Sequence, residues 1–352
     1  MKNNIFIVAG GTGGHINAAL SMGEYFSKDY NVIYISGRRV LDYRLFKEQT
    51  CFHLNMQALR VKNPFKLVKN IVFNSLVFFK LLFLFLKFKP RFVLGAGGYV
   101  CGPTFIMAKI CAKPRFIIEQ NAFAGLTNKI LAKISDLVFT HFKLTKGFEK
   151  IDQGKIKVFG NPNRSDIQFS PNVITDQIKI LVFGGSLGAD QINKAVQKLL
   201  GLGISFPLDI IHQTGINNPE NEIHSPHNIH YEAHKYLDDM AEKYRWANII
   251  IARAGASTIS ELRVVQKPAI LIPFPHAVDN HQYFNAKELA GENRSYVSVL
   301  DHHLDHDKLA KLIKNEIIKI KENNLFHADE IKQEQSSVEK IGSAINEYVR
   351  NK

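Results

Sequence analysis

The chain has 352 residues, 45% of them hydrophobic, enough for two domains with complete cores. Its three cysteines, Cys51, Cys101 and Cys111, form no C-x-x-C pair and no disulfide framework, so a reducing compartment is expected. Lys and Arg outnumber Asp and Glu 45 to 32, a net charge of +13, which suits an anionic partner (nucleic acid, acidic lipid or a phosphorylated substrate) or simply a solvated surface with excess Lys. Nucleic acid is set aside as that partner, because zinc-finger spacing, an RNP-like aromatic motif and a heptad-bearing basic region are all missing.

The first predicted element is a buried strand, "NIFIVAG", short, apolar and rich in β-branched residues. It is too short for a signal-peptide core and runs directly into "GTGGH". A helix follows over "INAALSMGEYF", with Ile16, Ala19, Leu20, Gly23 and Tyr25–Phe26 on one side. Strand, glycine loop, helix aims backbone N–H groups and a helix N-terminus at an anion. Gly11 and Gly13 fit a dinucleotide fingerprint, but its third glycine falls on Ile16. Three readings therefore stand: a nicotinamide or flavin site, a cradle for another phosphate ligand, and a plain turn. His15, at the mouth of the loop, is placed to meet a ligand as base or donor.

Residues 63–90, "NPFKLVKNIVFNSLVFFKLLFLFLKFKP", predict one long apolar helix, capped by Asn63, begun at Pro64 and ended at Pro90. Lys66, Lys69, Asn70, Asn74, Lys80 and Lys87 fall within an arc of roughly 140°. Three readings fit this segment. A membrane span places Lys80 in mid-bilayer at a cost of roughly 2.5–3.5 kcal/mol and separates strands that should share a sheet. A packed core helix is the second. The third is an interfacial helix that dips Phe and Leu into lipid and sets Lys on anionic headgroups.

Further strands ending in glycine or polar residues follow at "RFVLGAGGYVCGP", "RFIIEQN", "DLVFTHF" and "IKVFGNP". The segment "GNPNRSDIQFSPN" reads as an interdomain boundary. Beyond it, "IKILVFGGSLGADQIN" repeats the opening: Gly10, Gly11, Thr12 and Gly14 align with Gly184, Gly185, Ser186 and Gly188, close to half the chain apart. "NIIIARAGASTISEL" and "AILIPFP" add βα junctions. Strands alternating with helices predict parallel sheets, whose ligands sit beyond the carboxyl ends of the strands. After Asn280 the pattern reads as helical to the end, with "DHHLDHD" as a solvated turn or helix start. The last helix, "SSVEKIGSAINEYV", carries Val338, Ile341, Ile345 and Val349 on one side.

In "ARAGASTISE", Gly255 permits close backbone approach, and Ser257 or Thr258 can cap a helix whose N-terminus faces an anion. Glu261 can accept ribose hydroxyls. With "GGSLGA" in the same domain, the pair suits a nucleoside diphosphate. In "IPFPHAVDNHQYFNAKEL", Asp279, Asn280, His281, Gln282 and Asn285 form a polar run suited to sugar hydroxyls. His276, Asp279 and His281 could ligate a metal, but no established metal-binding spacing is present, and no metal requirement is expected.

The ordered motifs "GGTGGH", "GAGGYVCGP", "EQNAFAGLTNKILAK", "GNPNR", "GGSLGA", "YLDDMAEKYRWA", "RAGASTISEL" and "PAILIPFPHAVDNHQYFNA" resemble the MurG family, bacterial N-acetylglucosaminyltransferases that form lipid II in peptidoglycan synthesis. The resemblance spans nearly the whole chain. It implies an α/β GT-B fold of two Rossmann-like parallel-sheet domains with an interdomain cleft: residues 1–162 on the acceptor and membrane side, 163–335 binding UDP-sugar, and 336–352 a helix returning to the first domain. It implies transfer of N-acetylglucosamine from UDP-GlcNAc to the muramyl 4-hydroxyl of lipid I, with inversion and release of UDP. The expected location is the cytoplasmic face of the inner membrane, as a peripheral protein bound to anionic lipid through residues 64–88, in a cell-wall synthesis complex serving cell shape and division. Donor contacts carry over to Thr12, Gly13, Gly14, Asn121, Arg164, Ser186, Leu237, Gln282 and the run Ala256, Ser257, Thr258, Ile259, Ser260 and Glu261. Glu261 would hold ribose and the Leu237 backbone uracil. His15 is the expected general base, with a purely orienting role as its alternative. No cofactor is expected. The sequence departs from the family's usual Pro, His and Gln at Ala18, Ile118 and Leu187. A diacylglycerol glycosyltransferase, a silent sugar-nucleotide-binding or scaffold protein and a dehydrogenase are the competing functions.

Overall fold

The computed structural model describes residues 2–56, 64–216, 218, 225–293, 295–327 and 336–352. Asn63, the expected cap of the apolar helix, and residues 328–335, where the second expected domain ends, lie outside them. The chain divides into two compact units, Met1–Arg164 with Gln335–Lys352, and Ser165–Glu334.

The first unit is built on seven parallel strands: β1 (Asn3–Ala9), β2 (Tyr30–Ser36), β3 (Cys51–His53), β4 (Val93–Gly97), β5 (Arg115–Glu119), β6 (Leu137–Thr140) and β7 (Ile156–Val158). Their order is β3-β2-β1-β4-β5-β6-β7, so the winding reverses between β1 and β4. Crevices beyond the carboxyl ends of strands at such a reversal are where open α/β sheets bind ligands. The β1–β4 pairing slips between Val8 and Ala9, which puts Ala9 beside Gly97. Helices α1 (Gly13–Ser27), α2 (Val40–Leu45), α3 (Pro64–Phe88), α4 (Cys101–Ile110) and α5 (Leu126–Leu131) connect the strands.

Helix α3 divides its faces differently from the polar arc expected of it. Val77, Leu81, Leu84 and Phe85 enter the core, and Asn70 and Asn74 are buried with them. The outward strip is apolar: Phe73, Leu76, Phe79, Phe83 and Leu86 are all exposed, Phe79 to 69%. Asn74 lies three residues before the core anchor Val77 and Asn70 four before Asn74, so both turn inward and leave Lys80 and Lys87 among exposed Phe and Leu. No helix among the described residues is long and apolar enough to cross a membrane.

The final helix, here α6 to α10 being those of the second unit and α11 (Ser337–Arg350) the last, belongs to the first unit. A capping box between Ser336 and Glu339 starts it. Ile341, Ile345 and Val349 pack into the same core cluster as Ile5, Ile16 and Phe116. Gly342 allows close approach: a Cβ there would stand 2.1 Å from the Tyr25 ring.

The second unit has six parallel strands: β8 (Ile178–Phe183), β9 (Leu208–Gln213), β10 (Ile229–His234), β11 (Ile249–Ala252), β12 (Ala269–Leu271) and β13 (Val297–Val299). The order β10-β9-β8-β11-β12-β13 places a second reversal between β8 and β11. Its helices are α6 (Asp190–Leu200), α7 (Met240–Trp246), α8 (Ala256–Val265), α9 (His281–Gly291) and α10 (His306–Glu322). Strand β13 interrupts the stretch after Asn280 that reads as helical in sequence. It is three residues long and takes its place by pairing with β12, a long-range contact that local periodicity does not register. The His-rich segment ends as the start of α10, where Asp305 caps the helix by accepting from the Lys308 N–H.

Candidate active site

At the β1–β4 reversal the glycine loop is braced from several sides. Thr12 caps α1, its hydroxyl accepting from the His15 N–H at 3.4 Å. Gly11 donates its N–H to Asp42 Oδ1 at 3.0 Å, and the Gly11 carbonyl accepts from Arg39 Nη1 at 2.9 Å. The fully buried Asp42 carboxylate therefore occupies the Gly11 side of the loop, where a dinucleotide phosphate would need the N–H. Gly13 and Gly14 lie in the first turn of α1, and a Cβ at Gly13 would meet nothing within 4 Å.

His15 Nδ1 lies 3.3 Å from the Gly10 carbonyl. A carbonyl there favours the tautomer with the proton on Nδ1, which leaves the lone pair on Nε2. Gly97 gives the ring its space: at φ +115°, a Cβ on Gly97 would stand 2.6 Å from His15 Cδ2 and 2.7 Å from Nε2. The neighbouring Gly98, at φ +95°, lets the β4–α4 turn rest on the Gly10 backbone.

At the end of β5, Glu119 is 2% exposed and accepts four donors: the Asn121 N–H, Asn121 Nδ2, the Gly125 N–H and Asn128 Nδ2, at 2.9–3.2 Å. This carboxylate fixes the loop carrying Asn121. Arg164 is the last residue of the unit's first segment and is half-buried.

In the second unit, the β8–α6 glycine loop is longer than its counterpart. Here α6 begins at Asp190 after Ala189, with no side-chain cap. Gly188, at φ +80°, lies so close to Thr214 that a Cβ would fall 1.9 Å from the Thr214 carbonyl oxygen. Gln213, 3% exposed at the end of β9, ties the loop carrying Ser186 to the predicted donor contact Leu237: its Nε2 donates to the Gly185 carbonyl at 3.0 Å and its Oε1 accepts the Leu237 N–H at 2.9 Å. The Leu237 N–H is therefore already engaged. Ser186 is half-buried on this loop, and Leu187 beside it is 63% exposed.

Helix α8 starts after Gly255 without a side-chain cap, so the capping role expected of Ser257 or Thr258 is not taken; both lie inside its first turn. Their N–H groups and the helix dipole give this end positive potential. The run 256–261 is not uniform. Ile259 is fully buried and its N–H bonds to Gly255 O, while Ala256 and Ser260 are also buried. Ser257, Thr258 and Glu261 are the half-exposed members. Glu261 Oε2 accepts from the Tyr244 hydroxyl at 2.7 Å. Buried Arg253 donates through Nη1 to Gln191 Oε1 and to the Ile272 and Pro273 carbonyls, tying the ends of β11 and β12, and burial lowers its pKa to about 10. Gln282, in the first turn of α9, accepts the Phe274 N–H through Oε1 at 3.0 Å. Its amide nitrogen is thereby oriented away from that bond.

Each unit thus gathers its candidates on the carboxyl edge of one sheet. Gln213, Tyr244, Arg253 and Glu119 are the supports that sequence reasoning missed. Polar residues closing apolar strands, as in "LDIIHQ" and "RFIIE", were the available signal. Among the described residues no three His, Cys, Asp or Glu side chains gather to hold a metal ion.

Glycosyltransferase family 28 N-terminal and C-terminal domains match residues 5–140 and 179–343. The chain is 35% identical over 329 residues to the UDP-N-acetylglucosamine--N-acetylmuramyl-(pentapeptide) pyrophosphoryl-undecaprenol N-acetylglucosamine transferase of Histophilus somni (strain 129Pt), covering 89% of both chains. It is 34% identical to the protein of the same name from Myxococcus xanthus (strain DK1622), covering 88% of this chain and 83% of that one. The chain belongs to the MurG family. The crystal structure of Acinetobacter baumannii MurG superposes with a TM-score of 0.73 at 26% identity, covering 98% of this chain and 99% of that one. As in MurG, the two Rossmann-like units make a GT-B fold. Two departures from the usual MurG residues, Ala18 and Ile118, are fully buried. Burial makes Ile118 part of the β5 core, so it offers no polar group to an acceptor.

Proposed function

We propose that the protein transfers N-acetylglucosamine from UDP-GlcNAc to the 4-hydroxyl of the muramyl sugar of lipid I, forming lipid II and releasing UDP. The observation that carries this reading is the 35% identity maintained across 89% of the chain with an N-acetylglucosaminyl transferase of that acceptor class. The geometry of each unit supports it.

The second unit, Ser165–Glu334, takes the donor. Uracil meets the Leu237 carbonyl, ribose meets Glu261, and the diphosphate lies at Ser186 and the N-terminal N–H groups of α8, with Gln282 on the sugar. The first unit, Met1–Arg164 with Gln335–Lys352, presents His15 to the acceptor and completes the donor contacts through Thr12, Gly13, Gly14, Asn121 and Arg164. His15 Nε2 accepts the proton of the acceptor hydroxyl, whose oxygen forms a bond to the anomeric carbon. The bond from that carbon to the β-phosphate oxygen breaks with inversion, and the electron pair leaves on UDP. The α8 N-terminus stabilises the departing charge without a metal or cofactor.

The exposed apolar strip of α3, with Lys80 and Lys87 in it, supports peripheral binding to anionic lipid through residues 64–88. On this reading the enzyme works at the cytoplasmic face of the inner membrane, within a cell-wall synthesis complex.

Incubation of purified protein with radiolabelled UDP-GlcNAc and either lipid I or diacylglycerol tests the reading. Label in lipid I alone is expected. Label in diacylglycerol alone, or donor binding with no product, overturns it.

A further inference from the structure

The first unit carries a row of cations that the donor site does not use. Arg38 follows the end of β2 and is exposed. Arg39 beside it donates to the Gly11 carbonyl and lies over the Tyr99 ring, 5.8 Å from its centroid. Lys80 reaches from α3 to the end of β3, donating to the His53 carbonyl at 3.0 Å. The row therefore runs along the carboxyl edge of β3, β2 and β1, ending at the loop that holds His15.

Nothing acidic neutralises the outer pair. Among the described residues, neither Arg38 nor Lys80 has a carboxylate partner. The nearby carboxylate, Asp42, is fully buried and accepts the Gly11 and Arg39 N–H groups through its two oxygens. Desolvation, and then the charge of Arg38, lower the pKa of Lys80, as expected for two cations held near each other without a counter-ion. Around Lys80 the surface is apolar: Leu76 and Phe83, four residues before and three after it on the same face, are each 59% exposed. Apolar strip, paired cations and catalytic loop follow one another in that order. An amphiphile with an anionic head and a sugar beyond it matches that sequence of surfaces.

We propose that Arg38 and Lys80 seat the diphosphate of the lipid acceptor between the apolar strip of α3 and the His15 loop. This rests on the acceptor being a lipid-linked diphosphate sugar, as proposed above. Its chemistry, a phosphate ester on a lipid, is shared with phospholipid headgroups, so the test separates the two.

Binding of a short-chain prenyl diphosphate, without sugar or vesicles, reads the seat by calorimetry independently of turnover. The variant R38Q/K80Q is expected to bind it on the order of 10-fold more weakly, from the loss of charge-assisted hydrogen bonds. In turnover the KM for a short-chain lipid I analogue rises by a similar factor. The kcat and the KM for UDP-GlcNAc change by less than about twofold, and R38K retains most of the affinity. Sedimentation with phosphatidylglycerol vesicles is the second arm. Unchanged prenyl diphosphate binding overturns the proposal, whether vesicle binding falls, which makes the pair a headgroup contact, or holds. Should wild-type protein fail to glycosylate lipid I while still binding prenyl diphosphate through this pair, the seat stands and the acceptor reading falls.

Discussion

The Tyr244 hydroxyl donates to Glu261 Oε2 at 2.7 Å, from a ring that is 1% exposed. A buried phenol thus orients a half-exposed carboxylate. Replacing Tyr244 with Phe keeps the packing and removes this hydrogen bond from Glu261. The KM for UDP-GlcNAc is expected to rise about 10-fold, the scale of one hydrogen bond to a charged group. Steady-state kinetics at saturating acceptor check this; an unchanged donor KM removes the ribose role from Glu261.

His15 and Gly97 act as a pair, since the ring occupies the space that a side chain at position 97 would fill. His15→Ala is expected to lower kcat by about 10²–10⁴-fold while UDP-GlcNAc binding holds. Gly97→Ala should lower kcat in the same direction by displacing the ring, with added backbone strain from φ +115°. If H15A turns over nearly as well as wild type, the histidine orients and moves no proton.

Glu119 accepts four donors around the Asn121 loop. Glu119→Gln sets an NH₂ group against donors and is expected to destabilise the first unit by about 1–3 kcal/mol. Scanning calorimetry should show a lower melting temperature, together with a raised donor KM if Asn121 touches the donor. An unshifted melting curve rejects the bracing role.

Burial lowers the pKa of His212 from 6.5 to about 3. Its ring is fully buried between Tyr231 Oη at 2.9 Å and Asn193 Oδ1 at 3.1 Å, and it stays neutral in the folded protein. The unfolded chain binds a proton below about pH 6.5 and the folded chain does not, so stability falls as pH drops from about 6.5 towards 3. The loss reaches about 2 kcal/mol by pH 5. Urea unfolding at pH 7.5 and 5 measures it, and His212→Gln should flatten the dependence. An equal slope in the variant assigns the acid sensitivity to other groups.

The two sides of α3 separate membrane binding from folding. Polar replacement of Phe79, Leu82 and Phe83, which are 69%, 37% and 59% exposed, should reduce binding to phosphatidylglycerol vesicles at least about 10-fold with little change in unfolding. Leu81→Ser, at a fully buried position, should destabilise the fold by about 2–5 kcal/mol. Vesicle binding that survives the triple change transfers the contact to another surface.

The strands with glycine ends were legible because close backbone approach and a short apolar run both leave local marks. Strands β2, β3, β9 and β10 were not singled out. Their places depend on pairing with distant strands. The polar arc of α3 misled because helical angle places Asn70 and Asn74 with the lysines, whereas the core takes them in. At the candidate site, the half-exposed groups such as Glu261 and Gln282 stood out by chemistry. Gln213 and Tyr244 did not, because their roles come from partners 24 and 17 residues away.

The contribution of α11 to the first unit has a consequence for biosynthesis. Ile345 and Val349 complete a core whose opening strand begins at Asn3, while the second unit is encoded wholly between these pieces. During translation the second unit can finish folding while the earlier-made half still lacks its closing helix. Apolar surface around Tyr25 and Phe116 stays uncovered in the nascent first half until α11 has been made.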